Sequence, residues 1–274
     1  MNRPWKDRYE LALEAARAAG RKALEMFDVP LNVEWKSNQT PVTIADREAE
    51  KLLREKLLSH FAGDGFLGEE SGEVQGETGY RWIIDPIDGT RNFVRGIPLW
   101  GTLVGLEYRG ETVAGACYIP AFDQMFHALR GSGAFRDNRR IHVSTIHDLP
   151  ASQCFYSGVS WFVKSGCRDA FLDLVQNTQR QRGFGDFYGF VLVAQGSGEF
   201  MLEYGVNPWD IAALKPIIEE AGGKFTDWDG NPTIHRPDVL ASNGLVHAEV
   251  LRRIRTQADH SFRPEVVEHA KDIT

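Results

Sequence analysis

An apolar strand that runs directly into two carboxylates, a glycine and a hydroxyl constrains this chain more than any other feature. Residues 82–90 read WIIDPIDGT, so Asp85 and Asp88 can lie at the end of the strand and supply the oxygen ligands that Mg²⁺ prefers. Gly89 lets the backbone approach a ligand, and Thr90 opens a predicted helix whose first amides attract an anion. The pattern predicts a metal site beside a phosphate site, although Pro, Asp and Gly are also ordinary turn residues.

Two distant acidic segments favour the metal interpretation over a plain turn. Glu69 and Glu70 are adjacent acids in a stretch rich in Gly and Glu, although an acidic loop is usually just solvated. Pro208 lies at a predicted helix start and Asp210 follows in the first turn, where an acid also favours the helix dipole. These separated acidic positions, each at the junction of an apolar element and a loop, are coherent candidates for one site with two or three metals.

The order and spacing of these motifs resemble the inositol-monophosphatase superfamily of Mg²⁺-dependent, lithium-sensitive phosphatases. The resemblance spans nearly the whole chain and consists of the motifs at residues 68–70, 85–90, 209–210 and 222–223. Residues 90–100 and 185–188 resemble the histidinol-phosphate phosphatase branch more than the inositol branch. The resemblance implies an α+β fold, the five-layered α/β/α/β/α sandwich of the inositol monophosphatase and fructose-1,6-bisphosphatase type.

The same resemblance implies a hydrolase that converts histidinol phosphate and water to histidinol and phosphate, a step of histidine biosynthesis. A phosphatase for inositol 1-phosphate or another small sugar phosphate is the alternative with the same chemistry. A regulatory protein that binds metal or phosphate without catalysis is the alternative from another class. Intact candidates for every ligand argue against that last alternative.

The resemblance places two or three Mg²⁺ ions in the site, held by oxygen ligands. The implied ligands are Glu69, Asp85, the carbonyl group of Ile87, Asp88 and Asp210. A first ion, held by Glu69, Asp85 and Ile87, would acidify the attacking water. A second ion, held by Asp85, Asp88 and Asp210, would act on the leaving oxygen. A third, weaker ion is implied near Glu69 and Glu70.

Three residues are predicted to be catalytic, namely Asp46, Thr90 and Glu70. Thr90 would hydrogen-bond the nucleophilic water, and Asp46 would orient the threonine hydroxyl and take up proton density. On the residues alone, Asp46 is as consistent with an ordinary helix cap or first-turn acid as with catalysis, and the resemblance favours catalysis. The amides of Gly89 and Thr90 are predicted to bind the phosphate at the helix N-terminus.

The substrate-binding residues are predicted to be Arg91, Asp186, Glu203 and Asp210. At position 186 an acid followed by Phe187 stands where the inositol branch has small residues, which favours a cationic substrate. Asp186 and Glu203 could bind the ammonium group of histidinol phosphate while an aromatic side chain flanks the imidazole. Arg91 could contact the phosphate, position these two acids, or form only a surface ion pair.

Composition bounds the partners and the compartment. A net charge of −7 over 274 residues does not match the basic footprint of a nucleic-acid-binding protein. The three scattered cysteines indicate neither a disulfide framework nor a zinc cluster, and they fit a reducing cytoplasm. Charges throughout residues 1–20 argue against a signal peptide, and no apolar run is long enough to span a membrane. We therefore predict a cytoplasmic protein without nucleic-acid or membrane partners, and the resemblance implies a homodimer that acts on a small phosphorylated metabolite.

Periodicity predicts helices over about residues 4–28 and 45–61, separated by a turn-rich segment at 36–41. Strands are predicted at residues 82–84, 99–108, 111–119, 124–129 and 134–135, with a hairpin turn at Arg109 and Gly110. Strands and helices then alternate over residues 154–157, 168–178, 188–194, 199–204, 208–221 and 245–254. This change predicts two units, 1–145 and 146–274, with a boundary near 144–150. The polar stretch at 256–274 is predicted to be partly loose.

Overall fold

The structure is a computed structural model, and it describes residues 5–29, 34–35 and 41–257. Residues 36–40 of the predicted turn-rich segment, and almost all of the predicted loose stretch, lie outside these ranges. Within them the helices are α1 (Lys6–Leu24), α2 (Ile44–His60), α3 (Thr90–Val94), α4 (Val159–Lys164), α5 (Arg168–Gln176), α6 (Asp186–Ala194), α7 (Pro208–Ile211), α8 (Leu214–Glu220) and α9 (His247–Gln257).

The strands of the described residues fall into a small hairpin and two sheets. In the first half of the chain they are β1 (Glu34–Trp35), β2 (Pro41–Val42), β3 (Gly65–Gly68), β4 (Gly72–Val74), β5 (Tyr80–Asp88), β6 (Gly101–Tyr108), β7 (Glu111–Ile119), β8 (Gln124–Leu129), β9 (Gly133–Arg136) and β10 (Arg139–Ile141). In the second half they are β11 (Gln153–Tyr156), β12 (Arg180–Arg182), β13 (Phe200–Tyr204), β14 (Lys224–Thr226) and β15 (Asp238–Ser242).

The larger sheet has eight strands in the order β10-β9-β8-β7-β6-β5-β3-β4. All its neighbours are antiparallel except β3 and β5, which run parallel. Helices α1 and α2 pack together against one face of this sheet. The buried face of α1 consists mostly of alanines, such as Ala12, Ala16 and Ala19, and these small side chains let the helix lie close to the strands.

The smaller sheet has five strands in the order β12-β11-β13-β15-β14. Helices α6, α7 and α8 fill the space between the two sheets, where one apolar core joins them. Helices α5 and α9 cover the outer face of the smaller sheet together with α4. The layers are therefore α/β/α/β/α, and the predicted α+β sandwich is confirmed.

A glycine pair lets the middle helical layer sit directly on the larger sheet. Gly105 on β6 and Gly115 on β7 are paired neighbours, and both face the junction of α7 and α8. A Cβ atom at Gly115 would overlap the carbonyl oxygen of Ala213, and one at Gly105 would lie 2.9 Å from Ala212. This close approach fixes α7, and with it Asp210, against the sheet that ends in the acidic motif.

Several predicted elements have the expected bounds and others differ. Strands β7 and β8 coincide with their predicted ranges, and the hairpin turn at Arg109 and Gly110 is present. Residues 188–194 belong to α6, which begins two residues earlier at Asp186. Strands β3, β4, β12, β14 and β15 are too short and too irregular in pattern for periodicity to detect.

The larger sheet ends at Ile141 and the smaller one begins at Gln153. The predicted boundary at 144–150 falls between them, and the division into two units stays a prediction. None of the helices in the described part of the chain is long and apolar enough to cross a membrane.

Candidate active site

A bulge in β5 brings Asp85 and Asp88 to the same face of the larger sheet. Residues three apart on a regular strand face opposite sides. Here Asp85 pairs with Leu103 and Asp88 pairs with Gly101. Three residues along β5 therefore correspond to two along β6, so β5 contains one extra residue. As a result, Ile84 and Ile87 both pack in the core beneath α1 and α2. Asp85 and Asp88 both face the space between the sheets.

Asp210 completes an acidic cluster with these two residues. The three side chains each offer a carboxylate oxygen, and these oxygens lie within 4.8 Å of one another. Helix α7 holds Asp210 through a capping box, in which the amide of Asn207 donates to Oδ2 of Asp210 at 2.7 Å. The amide of Phe187, at the start of α6, donates to Oδ2 of Asp88 at 2.8 Å. Backbone amides at the starts of α6 and α7 therefore hold Asp88 and Asp210 in place.

The electrostatics of the cluster favour a bound cation. Burial, followed by the charges of Glu69 and Asp88, raises the pKa of Asp85 well above its usual range. Burial and the charge of Asp186 do the same to the pKa of Asp88. Burial raises the pKa of Asp210 to about 7. Because all these donors are oxygens in a crowded, desolvated cluster, the residues fit a hard divalent metal ion.

The other implied metal ligands differ in their positions. Glu69 lines the same cavity as Asp85 and Asp88, and its charge also contributes to the raised pKa of Asp210. The carbonyl oxygen of Ile87 accepts a hydrogen bond from the Thr90 hydroxyl at 3.0 Å. Glu70 lines a separate groove on the outer side of α2, although its charge contributes to the raised pKa of Asp46.

Asp46 serves as a helix cap and contacts Thr90 at the same time. Its Oδ2 accepts from the amide of Thr43 at 2.8 Å and from the Thr43 hydroxyl at 2.7 Å, which forms the capping box of α2. Its Oδ1 accepts from the hydroxyl of Thr90 at 3.3 Å. Burial raises the pKa of Asp46 to about 6. One oxygen of the carboxylate therefore belongs to the capping box and the other contacts Thr90, and the catalytic role of Asp46 stays a prediction.

Gly89 makes the turn between the bulged strand and α3. Its φ of +90° lies in the left-handed region that favours glycine. A Cβ atom there would lie 3.0 Å from the carbonyl oxygen of Leu99 and 3.4 Å from Oδ2 of Asp186. The turn thus brings the start of α3, with Thr90 and Arg91, close to the start of α6.

Asp186 and Glu203 form an acidic wall of the same cavity, which has a volume of about 780 Å³. Burial raises the pKa of Asp186, and the charge of Arg91 opposes this rise. Burial and the charge of Asp186 raise the pKa of Glu203 well above its usual range. Oε2 of Glu203 has no hydrogen-bond partner among the described residues. The structure therefore brings Arg91, Asp186, Glu203 and Asp210 into one cavity.

Sequence reasoning did not identify Glu50, which is buried on α2 one turn after Asp46. Its carboxylate accepts hydrogen bonds from the amides of Glu70 at 2.8 Å and Ser71 at 2.6 Å. A Cβ atom at Gly68 would lie 2.7 Å from the carboxyl carbon of Glu50. Glu50 thus positions the loop that holds Glu69. The available signal was the i, i+4 spacing of two acids on a helix face that is otherwise apolar.

Replacing Glu50 with Gln should weaken Mg²⁺ binding, because an amide side chain cannot accept from both loop amides with two oxygens. We expect the Mg²⁺ concentration for half-maximal rate to rise about tenfold, with a much smaller change in the maximal rate. Titration of phosphate release against Mg²⁺ measures both quantities. Glu55→Gln, an exposed change on the same helix, is the matched control. An unchanged metal requirement in Glu50→Gln would rule out this positioning role.

Without metal, the stability of the protein should fall as pH rises from about 4 to about 7. Carboxyls whose folded-state pKa is raised favour folding below their unfolded pKa, and this contribution is lost as pH rises through the folded value. Mg²⁺ should reduce the fall because it favours the ionised carboxylates. Thermal melts across this range, in EDTA and in excess Mg²⁺, test the expectation. Equal pH dependence under both conditions would contradict it.

The chain is similar to known proteins of one family over most of its length. The model of the inositol monophosphatase family matches residues 5–260. A histidinol-phosphatase of Mycobacterium tuberculosis is 40% identical over 250 residues, which cover 89% of this chain and 96% of that protein. An inositol-1-monophosphatase of Mesorhizobium japonicum is 35% identical over 252 residues, which cover 89% and 94%.

A solved inositol monophosphatase structure from Anabaena is similar in fold. It superposes with a TM-score of 0.83 at 30% sequence identity, over 94% of this chain and 99% of that one. The similarity therefore extends over both sheets and all five layers, and it includes the elements that hold the acidic cluster.

Proposed function

The chain belongs to the inositol monophosphatase family, and from that premise we propose that it is a Mg²⁺-dependent phosphate monoesterase that hydrolyses histidinol phosphate to histidinol and phosphate. The observation that supports this substrate is the acidic wall of Asp186 and Glu203 beside the metal-binding carboxylates. An inositol ring has no positive charge to match it. The relatives named histidinol-phosphatase, at 40% identity, favour the same substrate.

The metal would be held by the carboxylates of Glu69, Asp85, Asp88 and Asp210 and by the carbonyl of Ile87. Mg²⁺ bound there supplies Lewis-acid stabilisation of phosphoryl oxygens and makes a water molecule more acidic. Uncatalysed hydrolysis of phosphate monoesters is extremely slow, so this stabilisation is the main requirement of catalysis.

Thr90 and Asp46 are proposed to act on the attacking water. The single proton of the Thr90 hydroxyl can be donated to Asp46 or to the carbonyl of Ile87, and in either case the hydroxyl oxygen remains able to accept a hydrogen bond from water. This arrangement orients the water, and Asp46, with a pKa of about 6, can take up proton density as the new bond forms. The amides of Gly89 and Thr90 are proposed to hold the phosphate at the turn.

Substrate selection is proposed to depend on charge. Asp186 and Glu203 would bind the ammonium group of histidinol phosphate in a charge-assisted contact. Arg91, whose charge already acts on Asp186, would keep that acid ionised and contact the phosphate. Glu70 is proposed to influence the site only through a third, weaker metal ion and through the charge it places near Asp46.

The proposal is tested by phosphate release from histidinol phosphate and from inositol 1-phosphate in Mg²⁺. We expect kcat/KM to be about a hundredfold higher for histidinol phosphate, because the buried acids are left unpaired by a neutral ring. Faster hydrolysis of inositol 1-phosphate would overturn the substrate assignment. The inositol-1-monophosphatases at 35% identity make that ester the second candidate.

We further propose that the enzyme acts in the cytoplasm as a homodimer, and that Li⁺ inhibits it at the second metal position. Neither nucleic acid nor a membrane is proposed as a partner.

A further inference from the structure

We propose that Trp161 forms the wall that contacts the imidazole ring of histidinol phosphate, and that it distinguishes this substrate from esters without a flat ring. This inference rests on the proposed function, because it assigns a residue to the part of the substrate farthest from the phosphate.

Trp161 is a large aromatic residue that lines the cavity and stays partly exposed. It is 42% exposed and lies on α4, among the residues that line the cavity of Asp85 and Asp88. The next residue, Phe162, anchors the helix by stacking on Phe171 with ring centroids 4.3 Å apart. The helix is therefore held in place on one side while the indole is presented to the cavity on the other.

The indole has an accessible, electron-rich face. A Cβ atom at Gly205 would lie 3.6 Å from Cδ2 and Cε3 of Trp161, so the backbone of Gly205 packs beside the indole without crowding it. Nζ of Lys164, an exposed residue on the same helix, lies 4.6 Å from the ring centroid. The ring thus already accepts a cation, as expected for an indole. A protonated imidazole can bind in the same way, and a neutral imidazole can stack on the indole.

The order of groups along the cavity matches the order of groups in the substrate. Oδ2 of Asp186 lies 3.4 Å from the position that a Cβ atom would take at Gly89. Gly89 belongs to the turn that is proposed to hold the phosphate, called the phosphate turn. Glu203 interacts with Asp186 and with Ser157, and Ser157 leads into the Gly158 turn against the indole. Phosphate, ammonium and imidazole follow one another in histidinol phosphate. The phosphate turn, the acidic wall and Trp161 follow one another here.

The test compares Trp161→Ala, Trp161→Phe and the wild type on histidinol phosphate and inositol 1-phosphate. We expect Trp161→Ala to raise KM for histidinol phosphate about tenfold and to leave kcat nearly unchanged, because ring contact is lost equally from substrate and transition state. KM for inositol 1-phosphate should stay within about twofold of the wild-type value. Trp161→Phe should restore most of the affinity for histidinol phosphate.

Val163→Ala, an exposed change on the same helix outside the cavity lining, is the matched control and should not raise either KM. Circular dichroism checks that each variant is folded. A wild-type preference for histidinol phosphate that Trp161→Ala leaves unchanged would overturn this inference alone. Equal increases in both KM values would indicate a structural role and overturn it as well. A wild-type preference for inositol 1-phosphate would overturn the proposed function and this inference together.

Discussion

Asp88→Asn is expected to reduce turnover by at least about a thousandfold while the protein stays folded. Asp88 is central to the acidic cluster, and its replacement removes a negative charge that Mg²⁺ requires. The asparagine oxygen can still accept from the amide of Phe187, so the start of α6 keeps its hydrogen bond. Phosphate release in saturating Mg²⁺ measures the loss.

The stability of Asp88→Asn separates a chemical effect from a folding defect. Because the buried carboxylates repel one another in the absence of metal, we expect the melting temperature of the variant in EDTA to equal or exceed that of the wild type. Asp169→Asn, an exposed change at a surface ion pair, should alter neither turnover nor stability. Turnover within tenfold of wild type in Asp88→Asn would remove the basis of the metal mechanism.

Thr90→Val is the second change with a large expected effect. It replaces the hydroxyl by a methyl group of similar size, so packing is kept while the contacts to Asp46 and to the carbonyl of Ile87 are lost. We expect kcat to fall about a hundredfold to a thousandfold, which is the usual range for losing a group that assists proton transfer. The Mg²⁺ requirement should change much less, because no metal ligand is removed.

Thr90→Ser is the matched control, since it keeps the hydroxyl and removes only the methyl group. It should retain most of the activity, and steady-state kinetics on both variants measure the difference. Equal loss in Thr90→Val and Thr90→Ser would mean that packing at the methyl group, and not the hydroxyl, is what the site needs.

The sequence was sufficient for the family and the fold, because the acidic motifs occur at the ends of strongly patterned elements. The strand before Asp85, the helix start at Thr90 and the helix start at Pro208 could each be predicted from local chemistry. The resemblance then supplied the layer order that periodicity alone does not contain, and the structure confirms it.

Other features of the site depend on contacts between distant segments and could not be predicted. The bulge that turns Asp88 toward Asp85 is visible only in the pairing of β5 with β6. Glu50 acts on a loop twenty residues away, and its role depends on how α2 packs. Trp161 lines the cavity because of how α4 packs against the smaller sheet, which no local pattern contains. The assignment of ligands and catalytic groups stays a prediction.

The hydrogen bond from Phe187 to Asp88 limits how this enzyme can be redesigned. The same carboxylate belongs to the acidic cluster and fixes the first turn of the helix that begins with Asp186. Substitutions that remodel that turn to admit a new substrate will therefore also change the affinity for Mg²⁺. The part of the cavity that α4 lines has no carboxylate with such a double role among the described contacts. Changes of selectivity are therefore best introduced there.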